Sequence, residues 1–394
     1  MKRKWWVVGI LMLLELLVCG GILLTIWAGR TAFEGVRFFY RADTHVEETV
    51  EETFVVDGPA VLDLENVFGD VTVTGGAGDE VQVTARLSLW GADEEDARHQ
   101  AEVRMTQDGN RITVRVVRPE YTYAFASTRR DPQVDFDIRV PFETSLQLVT
   151  SNGDLTVSTV TGTVELETSF GTIRAEDVNG AVSARFSNGD ITLIGLSDAG
   201  DLEVETNFGA LVLQDVTADS ITAHTSSGRI RVSEGTLSGA LDLENNSGDV
   251  TVEGVRAASY RLTSMSGNLT LNECSGPLDL RTDFGSIEVR NGTEVQLALK
   301  TSRGEVYFSG RLHAQGEHRV ESDFGDVRLV LPADAAFDLD AKTDFGSIDT
   351  DFPVTVTQFG EKHLVGEVNG GGPLLRIKVN RGDITLEKAT GESN

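Results

Sequence analysis

The chain has 394 residues, a formal net charge of −28, 41 glycines, 8 prolines and 2 cysteines. Such an acidic surface disfavours binding to nucleic acid or to anionic lipid, and a disulfide framework is excluded because Cys19 falls in an apolar N-terminal segment. The acidity has two interpretations, an ordinary solvated surface or calcium binding. The turns carry one carboxylate each, unlike the glycine-rich repeats that bind calcium.

The first predicted element is a transmembrane helix. Lys2, Arg3 and Lys4 precede an apolar run over residues 5–28 that is interrupted only by Glu15, and a run of this length spans the hydrocarbon layer. The basic flank places the N-terminus in the cytoplasm and the bulk of the chain outside the cell membrane. A cleaved signal peptide is the alternative. Glu15 is a candidate contact with a membrane partner, because a carboxyl group inside the bilayer is costly.

Residues 1–29 are therefore assigned to the anchor, and residues 30–53 to a juxtamembrane spacer. Residues 54–142 have a mixed pattern, with several alternating stretches and one helix predicted at about 92–105 from the acidic residues at its start and its helical spacing of apolar residues. We predict that this segment is a small α+β cap that closes the first coil of a repeat structure.

A short turn sequence recurs through residues 143–388. Each copy has an apolar/polar alternation, a polar residue, any residue, a glycine and a second alternation. The turn glycines follow one another at steps of 18 to 21 residues: Gly153, Gly171, Gly189, Gly209, Gly228, Gly248, Gly267, Gly285, Gly304, Gly325 and Gly346. Alternation of period two indicates half-buried strands, and a near-constant step is typical of stacked repeats that bury their apolar faces against one another.

The predicted fold class is therefore all-β: a single-stranded parallel β-solenoid, β-helix-like, with the α+β cap and the transmembrane helix at its N-terminal side. A sandwich of antiparallel hairpins is the alternative, but hairpins do not require the same turn sequence in every copy. Residues 389–394 are predicted to form a disordered tail.

Phenylalanine stands directly before the turn glycine in several copies. After an early instance at Phe68, these residues are Phe170, Phe208, Phe284, Phe324 and Phe345. Equivalent positions form a ladder in a solenoid, so the rings would stack and fix the register. If the rings project outwards, they form an aromatic stripe that is a candidate binding surface for protein or glycan.

No sequence motif indicates catalysis or a cofactor. The six histidines are scattered and none has the spacing of a metal ligand. The Asp-Phe-Gly triplets and Arg381-Gly382-Asp383 occupy repeat turns, so the repeat itself explains them. We assign no catalytic, metal or cofactor residue and predict that the chain is not an enzyme.

The repeated Gly-Asp turns lie beyond a strand that ends at Val140-Pro141 and are followed by Gly-Gly-Gly-Pro-Leu at 370–374 and Gly-Asp-Ile-Thr-Leu at 382–386. This pattern resembles the bacterial DUF4097 family, a family of proposed adhesins also called toastrack. The resemblance covers about residues 54–388 and implies a stacked β-repeat fold on the cell envelope. It supplies no catalytic residues.

The predicted function is that of a membrane-anchored extracytoplasmic β-repeat scaffold, an adhesin or surface-binding protein. One alternative is an envelope-stress sensor or regulatory module that acts through a membrane partner. The second alternative is a carbohydrate-active β-helix enzyme.

Overall fold

Alternating apolar and polar residues form strands wherever the turn sequence recurs, because successive side chains of a strand point to opposite faces. The structure is a computed structural model and describes residues 36–37, 43–118, 122–123 and 130–389. The strands up to residue 141 are β1 (Val36–Arg37), β2 (Thr44–Val55), β3 (Ala60–Glu65), β4 (Val71–Gly76), β5 (Glu80–Gly91), β6 (Glu102–Asp108), β7 (Arg111–Val117), β8 (Thr122–Tyr123) and β9 (Gln133–Pro141).

The remaining strands follow the regular repeat. Those up to residue 331 are β10 (Thr144–Asn152), β11 (Leu155–Thr161), β12 (Val164–Phe170), β13 (Ile173–Asn179), β14 (Val182–Asn188), β15 (Ile191–Leu196), β16 (Asp201–Phe208), β17 (Leu211–Ala218), β18 (Ser220–Ser227), β19 (Ile230–Leu237), β20 (Ala240–Ser247), β21 (Val250–Arg256), β22 (Ser259–Ser266), β23 (Leu269–Asn272), β24 (Ser275–Phe284), β25 (Ile287–Arg303), β26 (Val306–Leu312), β27 (Glu317–Phe324) and β28 (Val327–Leu331). The last strands are β29 (Phe337–Phe345), β30 (Ile348–Thr350), β31 (Val354–Gly360), β32 (His363–Val368), β33 (Leu374–Arg381) and β34 (Ile384–Lys388).

The described residues fall into two compact units. Unit 1 lies within Met1–Glu48, Leu87–Glu102 and Val117–Pro132, and unit 2 lies within Thr49–Arg86, Val103–Val116 and Gln133–Asn394.

Unit 1 contains the one described helix, α1 (Glu94–Arg98). The side chain of Asp93 accepts a hydrogen bond from the backbone N–H of Asp96 at 2.8 Å, which caps the first turn. The helix ends after five residues. The helix predicted at about 92–105 is therefore wrong in its extent, because from Glu102 onwards the chain forms strand β6.

Unit 2 is a parallel β-solenoid in which each rung supplies one strand to each of two sheets. In stacking order, sheet one contains β7, β3, β10, β12, β14, β16, β18, β20, β22, β24, the second half of β25, β27, β33 and β29. Sheet two contains β9, β4, β11, β13, β15, β17, β19, β21, β23, the first half of β25, β26, β28, β34 and β30. All these pairings are parallel, so the predicted parallel solenoid is confirmed and the antiparallel sandwich is wrong.

The core of unit 2 consists of the inward-facing residues of both sheets. In sheet one, Leu148 pairs with Leu166, and Leu166 pairs with Ala184 on the following rung. All three are at most 2% exposed. Burying a leucine side chain stabilises a fold by about 1.5–3 kcal/mol, and stacking makes this burial continuous from rung to rung.

The turn glycines are required by the close approach of neighbouring rungs. Gly209 has a φ of +143°, and a Cβ atom there would lie 1.9 Å from the carbonyl oxygen of Gly189. A side chain would therefore be strained by its backbone conformation and would also collide with the adjacent turn.

The aspartate after the turn glycine links neighbouring rungs. Asp190 Oδ1 accepts a hydrogen bond from the backbone N–H of Ala210 at 2.7 Å. Asp249 Oδ1 accepts one from the N–H of Asn268 at 2.9 Å in the same way. The turn carboxylates thus satisfy backbone donors that the corner would otherwise leave without a partner, which gives them a structural role.

Both ends of the stack depart from chain order. At the N-terminal side, β3 lies between β7 and β10, and β4 lies between β9 and β11. At the C-terminal side, β33 lies between β27 and β29, and β34 lies between β28 and β30. Strand β32 then pairs antiparallel with both β29 and β31, which covers the end of sheet one.

The α+β cap predicted for residues 54–142 is not supported, because β3, β4, β7 and β9 are rungs of the same two parallel sheets. The predicted anchor over residues 5–28 lies outside the described residues. Within the described ranges, no helix is long and apolar enough to cross a membrane.

Candidate functional site

One corner of the solenoid in unit 2 brings all the predicted aromatic residues into a single row. The row consists of the residues that directly precede the turn glycines at the ends of the sheet-one strands. In stacking order they are Phe68, Asn152, Phe170, Asn188, Phe208, Ser227, Ser247, Ser266, Phe284, Arg303, Phe324, Arg381 and Phe345. Phenylalanine therefore recurs on every second rung at both ends of the row.

The two ends of this row differ in what separates the phenylalanines. Asparagine separates them at one end, and we call Phe68, Asn152, Phe170, Asn188 and Phe208 the Phe–Asn ladder. Arginine separates them at the other end, and we call Phe284, Arg303, Phe324, Arg381 and Phe345 the Phe–Arg ladder. The five phenylalanines from Phe170 to Phe345 are between 47% and 69% exposed.

The rings of the Phe–Arg ladder contact guanidinium groups. The Arg303 guanidinium carbon lies 5.1 Å from the centroid of the Phe284 ring. The corresponding carbon of Arg381 lies 5.3 Å from the Phe324 centroid and 5.6 Å from the Phe345 centroid. These distances are within the range of cation–π attraction, so each arginine is held in the row by its aromatic neighbours.

Arg303 and Arg381 also differ from the other arginines on the outer face of sheet one. Arg261 pairs with Asp242 at 3.4 Å, and Arg376 pairs with Glu317 at 2.7 Å. Within the described part of the chain, neither Arg303 nor Arg381 forms an ion pair, and both are exposed. Their N–H donors therefore face solvent without a carboxylate partner in a strongly acidic protein.

The residues next to the Phe–Arg ladder alternate in charge. Asp283, Asp323 and Asp344 precede the three phenylalanines, whereas Ser302 and Asn380 precede the two arginines. Asn380 Nδ2 donates to Asp323 Oδ1 at 2.6 Å, and Ser302 Oγ donates to Asp283 Oδ1 at 3.4 Å. An acidic residue thus directly precedes each phenylalanine of the ladder, whereas a neutral polar residue directly precedes each arginine.

The backbone beneath this ladder is hydrogen-bonded from rung to rung. The N–H of Gly285 donates to the carbonyl oxygen of Arg303 at 2.9 Å, and the N–H of Gly304 donates to that of Phe324 at 2.9 Å. Inside the corner, Thr301 Oγ1 donates to the carbonyl oxygen of Gly285 at 2.8 Å. The exposed side chains therefore project from a fixed backbone.

A hollow of about 490 Å³ opens on the outer face of sheet one, and no residue of the Phe–Arg ladder lines it. It forms because Ala298 is short in a row where Arg261, Asp279 and Arg319 are long. Asp279 Oδ1 is buried and makes no hydrogen bond. It forms an ion pair with Arg281, whose Nε lies 3.0 Å away. Both arginines that line the hollow, Arg261 and Arg319, pair with carboxylates, Asp242 and Glu321.

Cys274 and His318 are buried titratable groups of unit 2 that do not line the hollow. Burial raises the pKa of the Cys274 thiol to about 12. Burial also lowers the pKa of His318, whose Nδ1 accepts the backbone N–H of Leu297 at 3.3 Å while Nε2 faces the carbonyl oxygen of His313 at 3.1 Å. Both groups are therefore uncharged at pH 7, and their buried positions indicate a structural role.

No group of three or more His, Cys, Asp or Glu side chains within the described ranges could hold a metal ion. The assignments of no metal, no cofactor and no catalysis stay predictions. Glu15, the candidate contact with a membrane partner, lies outside the described residues.

The predicted aromatic stripe is exposed, but its rings do not stack on one another, since at least one rung with asparagine, arginine or serine lies between successive phenylalanines. The sequence interpretation overlooked Arg303 and Arg381. Their signal was present, because Ser302-Arg303-Gly304 and Asn380-Arg381-Gly382 place arginine at the position that phenylalanine occupies in other copies.

A family model described as Toastrack DUF4097 matches residues 61–275 and 219–387. No curated protein matches the chain. A solved structure of a "putative cell adhesion protein" from Clostridium sporogenes is similar at 10% identity, with 86% of this chain and 100% of that chain covered and a TM-score of 0.16. A "putative adhesin" from Bacteroides fragilis has 9% identity, coverage of 88% and 99%, and a TM-score of 0.19. Another from Parabacteroides distasonis has 9% identity, coverage of 90% and 100%, and a TM-score of 0.21.

Proposed function

The chain belongs to the Toastrack DUF4097 family, and we propose that it is an adhesin-like binding scaffold whose contact surface is the Phe–Arg ladder. The observation that carries this proposal is the exposed alternation of Phe284, Arg303, Phe324, Arg381 and Phe345 along one corner. Aromatic and arginine side chains are enriched in the contacts that dominate binding energy.

A fixed backbone supports this role. Side chains on a rung-to-rung hydrogen-bonded corner lose little conformational freedom when a ligand binds, and a smaller ordering cost favours affinity. Binding at such a row requires no chemistry on the ligand, so the proposed function is non-enzymatic. The ligand is a protein or a glycan on a surface outside the cell.

The proposal includes a location. Residues 5–28 anchor the chain in the cell membrane as a single span, the N-terminus is cytoplasmic, and unit 2 faces outwards. The support is the length of the apolar run and its basic flank, Lys2, Arg3 and Lys4.

Binding of the full chain in detergent to a glycan array and to intact bacterial cells tests the proposed function. Phe284→Ala combined with Phe324→Ala is expected to lower the bound signal by about tenfold, as loss of two anchor residues does in other interfaces. The control is Val55→Ala with Val356→Ala, which removes two exposed apolar side chains of unit 2 away from the ladder. Unchanged binding by the phenylalanine variant, with native circular dichroism, would contradict the proposal, as would no binding by the unaltered chain.

A further inference from the structure

The chemistry of the Phe–Arg ladder has a period of two rungs. A carboxylate directly precedes each phenylalanine, as Asp323 precedes Phe324, and a neutral amide or hydroxyl directly precedes each arginine, as Asn380 precedes Arg381. Neighbouring strands lie about 4.8 Å apart, so the period is about 9.6 Å. This is close to the length of one disaccharide in an extended polysaccharide chain.

The arginine rungs are suited to a carboxylate. The net charge of −28 opposes an anionic ligand in general, so such a ligand must be bound through local contacts with the two guanidinium groups. Neither guanidinium forms an ion pair among the residues that the structure describes, although Glu305 and Asp383 lie two residues further along the same rungs. Asp383 Oδ1 already accepts hydrogen bonds from the backbone N–H and the hydroxyl of Ser347 at 2.7 Å and 3.1 Å. A guanidinium with unoccupied N–H groups binds a planar carboxylate through paired hydrogen bonds.

The phenylalanine rungs are suited to a neutral sugar. The exposed ring offers apolar contact to the C–H groups of a pyranose, and the adjacent carboxylate of Asp283, Asp323 or Asp344 accepts hydrogen bonds from its hydroxyl groups. A second acidic sugar at these rungs would face that carboxylate at short range, which is unfavourable.

We propose that the ligand of the Phe–Arg ladder is an extended polysaccharide in which a sugar carrying a carboxylate alternates with a neutral sugar. This inference rests on the proposed binding function and specifies its ligand. The acidic sugars lie at Arg303 and Arg381, and the neutral sugars lie at Phe284, Phe324 and Phe345.

The Phe–Asn ladder serves as an internal comparison. It has the same aromatic period, with Phe170 and Phe208 exposed to a similar extent, but Asn188 between them supplies no charge. It therefore lacks the feature that would select a carboxylate, and it is not expected to bind the same ligand tightly.

The test is calorimetric titration of the full chain in detergent with a hyaluronan hexasaccharide, in which uronate and N-acetylhexosamine alternate. Two further probes are the same oligosaccharide with its carboxylates reduced to alcohols, and an oligogalacturonate that is acidic at every sugar. We expect the hyaluronan hexasaccharide to bind about tenfold or more tightly than either of the others, since each lost or repelled charge costs about one tenfold step in affinity.

Matched variants test whether binding of the oligosaccharide depends on the two arginines of the Phe–Arg ladder. Arg303→Gln with Arg381→Gln is expected to weaken binding of the hyaluronan hexasaccharide by about tenfold or more. Arg139→Gln with Arg256→Gln changes the net charge equally at exposed positions outside the corner row and is expected to leave binding unchanged. Phe170→Ala with Phe208→Ala is also expected to leave it unchanged.

The proposal is overturned if the reduced oligosaccharide binds as well as the acidic one, if none of the three binds, or if the Arg303/Arg381 variant binds normally. Failure here is distinct from failure of the proposed function. If array or cell binding still depends on Phe284 and Phe324 while no uronate oligosaccharide binds, the scaffold role stands and the ligand class is wrong.

Discussion

The backbone N–H of Asp383 donates a hydrogen bond of 2.8 Å to Oδ1 of Asp326, although 57 residues separate them in sequence. In the middle of the stack the same bond joins residues about one repeat apart, as it joins Ala210 to Asp190 across 20 residues. The bond at Asp326 therefore shows both the linking role of the turn aspartate and the insertion of the C-terminal strands into the stack.

Removing this acceptor is expected to destabilise unit 2. Asp326→Ala leaves the N–H of Asp383 without its partner and should lower the free energy of unfolding by about 1 kcal/mol. Asp326→Asn retains an acceptor oxygen and should lose less, because Asn268 fills the equivalent position and accepts the N–H of Ser286 at 2.9 Å. Urea denaturation measures both variants. Equal stability of the alanine variant and the unaltered chain would contradict this role.

A methyl group at a turn glycine is expected to cost more. Gly209→Ala combines a positive φ with a Cβ that would lie 1.9 Å from a backbone oxygen, so the free energy of unfolding should fall by more than about 2 kcal/mol. Gly76→Ala is the control, since a Cβ there meets nothing within 4 Å. If both variants have the same melting temperature, the close contact between neighbouring rungs is not the reason why glycine is required at this position.

The turn sequence predicted the parallel stack for a physical reason. A glycine such as Gly209 is needed in every copy only when each turn rests against the previous one, and hairpins impose no such contact. The stacking order of the ends was not predictable in the same way. The turn sequence Arg381-Gly382-Asp383 is compatible with any rung of the stack. It therefore does not predict that β33 lies between β27 and β29.

The candidate site was predictable in part. Phenylalanine before glycine drew attention to the corner that carries the row, but the alternation with Arg303 and Arg381 requires knowledge of which rungs are neighbours. The predicted helix at about 92–105 was too long because helical spacing of a few apolar residues competes with strand alternation. From Glu102 onwards the chain forms strand β6 instead of continuing the helix.

The thiol of Cys274 is expected to be unreactive in the folded protein. Its pKa of about 12 leaves almost no thiolate at pH 8, and its side chain is buried. Iodoacetamide should therefore not modify the Cys274 peptide until guanidinium chloride unfolds the chain, as followed by mass spectrometry. A Ser247→Cys variant supplies an exposed thiol on the corner row as the positive control. Rapid modification of Cys274 under native conditions would contradict its burial.

His318 is expected to make unit 2 less stable in mild acid. Burial lowers the pKa of His318 in the folded state, whereas an unfolded histidine titrates near pH ~6.5. The unfolded state therefore binds the proton first, so the free energy of unfolding falls as the pH drops below about 6.5, by at most about 1.4 kcal/mol per pH unit.

The measurement compares urea denaturation at pH 7.5 and pH 5.5. His318→Gln should reduce the difference between the two pH values, whatever its effect on stability at pH 7.5. Thr222→Gln, a substitution at an exposed position that does not titrate, is the control and should leave the difference in place. A pH dependence that persists unchanged in the His318 variant would contradict this assignment.

The binding proposals depend on which residues of the corner row are neighbours, and oxidative cross-linking measures this directly. Adjacent rungs place Cα atoms about 4.8 Å apart, within the range of a disulfide, whereas alternate rungs at about 9.6 Å exceed it. Phe324→Cys with Arg381→Cys should therefore form a disulfide under mild oxidation. Phe324→Cys with Phe345→Cys should not, because Arg381 lies between them. Cross-linking of 324 to 345, without cross-linking of 324 to 381, would contradict the alternating Phe–Arg ladder.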